Sequence, residues 1–103
     1  MKFAAEVRRF VKQTSKTLTN IEDCKQLIRS SGSIGANYIE ANEALSRKDF
    51  FYRIKICRKE AKETRYWLLL VNARRNVDAM RNDLIQESTE LMHIFGAIIS
   101  RRK

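Results

Sequence analysis

The chain has 103 residues, 44% hydrophobic and 32% charged, with no proline, three glycines and a formal net charge of +9. That length suits one domain, whose core buries roughly 60% of the unfolded surface, and the composition excludes a disordered chain and disfavours a sandwich. No segment approaches the roughly 18 to 20 uninterrupted apolar residues of a membrane span, and MKFAAEVRRF is charged too early for an export signal, so a soluble, cytoplasmic protein is expected.

Cys24 and Cys57 have no cysteine or histidine at a metal-ligand spacing, which makes both expected core thiols and leaves no metal or other cofactor to expect. The positive charge favours polyanionic partners, with nucleic acid ahead of an acidic protein surface or an anionic membrane.

Phe3, Val7, Phe10, Val11, Thr14 and Leu18 recur at spacings of three and four, predicting a first helix over about 3–18. Thr19 with Glu22, or Asn20 with Asp23, can form a capping box, so a second helix is expected over about 21–44. Its buried face would be Cys24, Leu27, Ile28, Ser31, Ile34, Gly35, Tyr38, Ala41 and Leu45.

Within it, RSSGSIGANYIEAN (29–42) raises two readings. Gly32-Ser33-Ile34-Gly35 matches a short phosphate-cradling GxxG loop, but no strand pattern surrounds it, and a Walker-type loop lacks both the glycine spacing and the Lys-Ser or Lys-Thr. The alternative is a helix thinned for close packing, since each interior glycine costs roughly 1 kcal/mol relative to alanine and calls for a compensating contact.

Ser46 with Asp49 caps a third helix over about 47–74, whose core row is Phe50, Ile54, Cys57, Ala61, Thr64, Leu68 and Val71. Asn76 and Asp78 then turn the chain into a fourth helix over about 79–101, with Val77 or Met80, Leu84, Ser88, Leu91, Phe95 and Ile98 inward. Four helices with short connections imply an all-α, antiparallel up-down-up-down four-helix bundle spanning 1–103 as one domain.

At about 100° per residue, Arg47, Lys48, Lys55, Arg58, Lys59, Lys62 and Arg65 fall within an arc about 120° wide, with Phe51 and Tyr66 among them. Such a basic stripe with interleaved aromatics is the footprint of a surface that tracks a nucleic-acid backbone, and Arg101, Arg102 and Lys103 extend it as a basic tail; a solvated lysine-rich face is the bland alternative. Tyr52, Ile56, Trp67 and Leu70 form a third, apolar face away from the core, which self-association would cover. Asn37 and Glu40 on the second helix are read either as a polar contact across helices or subunits or as exposed helix residues. His93, the single histidine, stands without a nucleophile or carboxylate constellation, so no enzyme is expected.

The stretches SSGSIGANYIEANEALSRKDF and IKICRKEAKETRYWLLL closely resemble the bacterial four-helix-bundle proteins encoded in intervening sequences of 23S ribosomal RNA genes, a group related to the accessory variability proteins of diversity-generating retroelements. Ser33, Ile34, Asn37, Glu40, Ser46, Lys48, Asp49, Phe50, Glu60, Glu63, Tyr66, Trp67 and Leu68 carry the resemblance. It implies a bundle that assembles into a ring-like homopentamer. In the retroelement branch it implies a basic adaptor for a reverse transcriptase and nucleic acid. The function expected is a non-enzymatic basic oligomer that binds RNA or DNA backbone with little sequence selectivity; a protein-interaction scaffold, such as an accessory subunit of a reverse transcriptase, is the alternative.

Overall fold

The computed structural model describes residues 2–101. These form α1 (Lys2–Lys12), α2 (Leu18–Asn42), α3 (Arg47–Leu70), a 3-10 turn (Arg75–Val77) and α4 (Asp78–Ser100), with no strand among the described residues. No helix is long and apolar enough to cross a membrane among them. Arg102 and Lys103 of the expected basic tail lie outside the described residues.

The first helix is shorter than its apolar period suggested. Gln13 N–H and Thr14 N–H reach back only three residues, to the carbonyls of Phe10 and Val11, and the Thr14 hydroxyl also donates to Val11 O at 2.8 Å. Such tight bonds close a helix end. Thr17 then caps α2, its hydroxyl accepting from Asn20 N–H, so the cap lies two or three residues earlier than the expected boxes. Leu18 becomes the first residue of α2 and is 78% exposed rather than inward.

Across α2 and α3, Ser30 meets Thr64, Ile34 meets Cys57 and Asn37 meets Arg53, so sequence position falls along one helix as it rises along the other. Ser46 caps α3 as expected, accepting from Asp49 N–H at 3.1 Å. The core runs through Phe3, Val7, Phe10, Cys24, Leu27, Ile34, Ile54, Cys57, Ala61, Leu68, Leu84 and Phe95.

Three inward assignments need correction. Tyr38 is 44% exposed and Leu45 fully so, because α2 ends at Asn42 and Leu45 stands in the turn beyond it. Phe51, not Phe50, is the buried member of its pair. α3 packs against both α2 and α4, which widens its buried arc and draws Phe51 beneath Arg47, whose guanidinium lies 5.3 Å from the ring centroid. Nor is Gly32 a point of close helix approach: a Cβ there would find Arg8 Nη2 at 4.0 Å as its nearest neighbour. GSIG lies mid-helix, with no residue at positive φ, so it forms no phosphate loop.

Candidate nucleic-acid interface

Two acids of α3, Glu60 and Glu63, pair with α2, and the charge of Lys59 on α3 also acts on Glu63. Arg29 on α2 reaches across to Glu60 at 2.9 Å and Glu63 at 3.2 Å. Burial pushes the Glu60 carboxyl up, but Glu63, the Ser33 hydroxyl and Arg29 together hold it below its ordinary value. Glu63 moves the other way, raised by the neighbouring Glu60 carboxylate and by burial. The Arg29 guanidinium is raised, chiefly through its hydrogen bond to Glu60. Two like charges side by side disfavour each other's ionisation, and Arg29 favours that of Glu60.

The same seam engages two of the polar residues named from sequence. Asn37 donates to the Ser33 carbonyl and hydroxyl and accepts from Arg53 Nη1 at 3.0 Å. Arg53 is thereby drawn toward α2. Glu40 is exposed, beside a depression it shares with Glu43, Asp49, Tyr52 and Arg53.

All seven basic residues predicted on α3 are exposed, and they sort into two rows. The arginines lie along α4: Arg65 Nε donates to Thr89 Oγ1 at 3.1 Å, Arg47 Nη2 to the Arg101 carbonyl at 3.4 Å, and Arg58 lies beside Gly96, 3.7 Å from where a Cβ would stand. Lys48, Lys55, Lys59 and Lys62 follow the outer edge of the helix. Lys55, Arg58, Lys59 and Lys62 line one groove of about 320 Å³, floored at one side by Ile99, with no acid among its lining residues. None of these four takes part in an ion pair among the described residues. The acids of α4 lie elsewhere: Asp83 lines a depression with Glu6 and Arg9 of α1, and Glu87 is raised first by burial and then by the charges of Glu6 and Glu90.

Phe51, expected among these cations, is buried, whereas Tyr66 is 56% exposed beside them. The expected apolar face divides similarly. Tyr52 and Leu70 are exposed, Ile56 is half-buried, and Trp67 packs on this chain's own core. His93 is exposed on α4, and no group of three or more His, Cys, Asp or Glu is placed to hold a metal ion among the described residues.

A feature that periodicity missed sits at the far end of α3. Asn20, 1% exposed, donates to the carbonyls of Ser15 and Asn72 and accepts from Asn72 N–H, tying the α1–α2 connection to the α3–α4 connection. An asparagine in an expected helix-cap segment was its one sequence signal.

The chain is similar to known proteins both in sequence and in fold. The family model described as 23S rRNA-intervening sequence protein matches residues 1–97. The crystal structure of a protein of unknown function from the S23 ribosomal protein family of Bacteroides thetaiotaomicron VPI-5482 is similar, with 35% identity and a TM-score of 0.77 over 95% of this chain and 92% of that one. A search of curated proteins finds no significant match.

Proposed function

Because the chain belongs to the 23S rRNA-intervening sequence protein family, we propose that it is a non-enzymatic, basic, oligomeric adaptor that binds RNA or DNA through the backbone with little sequence selectivity. The observation that carries this reading is the acid-free groove of Lys55, Arg58, Lys59 and Lys62 between α3 and α4. Cations fixed along one helix edge match a phosphate chain in charge and release its counterions on contact, and they read no base edges. The basic tail at Arg101, Arg102 and Lys103 adds further phosphate contacts.

In this reading the helices form an antiparallel up-down-up-down bundle, and several bundles assemble into a ring-like homo-oligomer, a pentamer by family resemblance. Ile56, Trp67 and Leu70 supply the covered edge; Tyr52, equally part of the expected face, stands closer to the lysine row. Repetition of the groove around a ring multiplies weak contacts through effective concentration. Light scattering is expected to show an assembly at micromolar concentration, and a monomer there would refute the ring.

Retention on immobilised RNA and DNA tests the reading. Joint replacement of Arg58, Lys59 and Lys62 by glutamate is expected to abolish retention with helicity intact. A scaffold for protein partners, such as an accessory subunit of a reverse transcriptase, is favoured by the exposed Tyr52 and Leu70, at 60% and 50%. Capture of such a partner that survives nuclease treatment would support it.

A further inference from the structure

Two tyrosines bracket Lys55, Lys59 and Lys62 of the lysine row. Tyr52, Lys55, Lys59, Lys62 and Tyr66 follow one another at alternating spacings of three and four, which aligns them along one edge of α3. At about 1.5 Å of rise per residue, the two rings stand about 21 Å apart. Both are more than half exposed, at 60% and 56%. Each is also braced by its chain neighbour: the Arg53 guanidinium lies 5.8 Å from the Tyr52 centroid, and Trp67 meets Tyr66 edge-on at 4.9 Å and 77°. A lone exposed aromatic needs no explanation, but two braced rings in line with three cations form a repeated pattern.

We propose that this line is a track for an unpaired nucleic-acid strand, with Lys55, Lys59 and Lys62 on phosphates and Tyr52 and Tyr66 each stacking a base. The inference rests on the nucleic-acid reading above and specifies the strand. In a duplex the bases are paired and stacked on one another, so rings on a helix flank find no free base face and the lysines alone act. An unpaired strand offers both charge and base faces, and stacking accepts any base, in keeping with low sequence selectivity. The surroundings also set the length of the track. Glu40, Glu43 and Asp49 gather with Tyr52 and Arg53 around one depression and repel a backbone running past Tyr52. Beyond Tyr66 the helix edge turns apolar at Leu69 and Leu70. Each subunit therefore holds a short segment of a few nucleotides.

Fluorescence anisotropy of the full chain with a labelled short oligothymidylate, and with a blunt duplex of equal length at the same salt, tests the proposal. The single strand is expected to bind more tightly. Tyr66→Leu is expected to weaken single-strand binding roughly 5- to 100-fold, the range of a lost base stack, with duplex binding unchanged. Tyr52→Leu acts in the same direction, and Tyr66→Phe, which keeps the ring, retains wild-type affinity. Equal affinity for both probes, with neither leucine variant affecting either, would overturn the track and leave the nucleic-acid reading standing. Tyr66→Phe losing as much as Tyr66→Leu would also overturn stacking. Failure of the wild-type chain to bind either probe would overturn the track and the reading beneath it together.

Discussion

The side chain of Asn20 grips the backbone of Asn72 at two points: Nδ2 donates to the Asn72 carbonyl at 2.6 Å, and Oδ1 accepts from its N–H at 3.0 Å. Both ends of the amide are used at once, and a third bond to Ser15 O joins two connections 52 residues apart. Asn20→Ala removes all three bonds and leaves a gap at a buried side chain, while the exposed Asn72 backbone regains water, so a loss of about 1–3 kcal/mol is expected by urea denaturation. Asn20→Asp can still accept but cannot donate, and it buries a charge, so it is expected to do no better. A loss below about 0.5 kcal/mol for Asn20→Ala would show that water replaces the clamp.

The acidic seam between α2 and α3 makes stability depend on pH. Glu60 has a lowered pKa in the folded chain, so the unfolded chain binds more protons in the acid range. Its stabilisation is thus fully present above the unfolded carboxylate value and is lost as pH falls through the folded one. Glu63, raised, opposes this and gains as it protonates. Glu60→Gln is therefore expected to be less stable than wild type at neutral pH, with the gap narrowing in acid. Glu63→Gln removes the like charge beside Glu60, and is expected to cost less at neutral pH. Thermal melts across the acid range check both, and a pH-independent gap for Glu60→Gln would contradict the seam.

At Gly32 the structure reverses the expected direction of a substitution. With Arg8 Nη2 at 4.0 Å as its nearest contact, an added methyl meets no obstruction, and alanine is the better helix former. Gly32→Ala is expected to stabilise the chain by about 0.5–1 kcal/mol in denaturant titration. Destabilisation would restore the close-packing explanation.

Burial pushes the Cys57 thiol up to about 11. The reactive thiolate is then scarce at neutral pH, and the fully buried sulfur is inaccessible besides. Cys57 is expected to resist thiol reagents in the native chain and to react on unfolding; rapid native labelling would reveal local opening of α3.

The helices were legible because their apolar periods are long and their cap at Ser46 is local. The basic arc was legible for the same reason, since seven exposed side chains on one helix need only the 3.6-residue repeat to be placed. Phe50 and Phe51 were not separable: a period fixes the centre of a buried arc, whereas its width depends on how many helices pack against it, and α3 packs against two. The end of α1 was misplaced because Thr14 and Leu18 continue its apolar spacing while Thr17 and Asn20 start a new helix. The Asn20–Asn72 clamp left no periodic trace at all, since it joins two connections distant in sequence. The division of the stripe into arginines along α4 and lysines on the outer edge needed the position of α4.

The most direct measurement is the salt dependence of nucleic-acid binding by wild type and by the joint Arg58→Glu, Lys59→Glu, Lys62→Glu variant. The logarithm of affinity is expected to fall linearly with the logarithm of salt in wild type, and the triple variant, with its helical circular dichroism unchanged, to lose both binding and slope. A variant that binds with the wild-type affinity and salt slope would contradict the groove as the nucleic-acid interface.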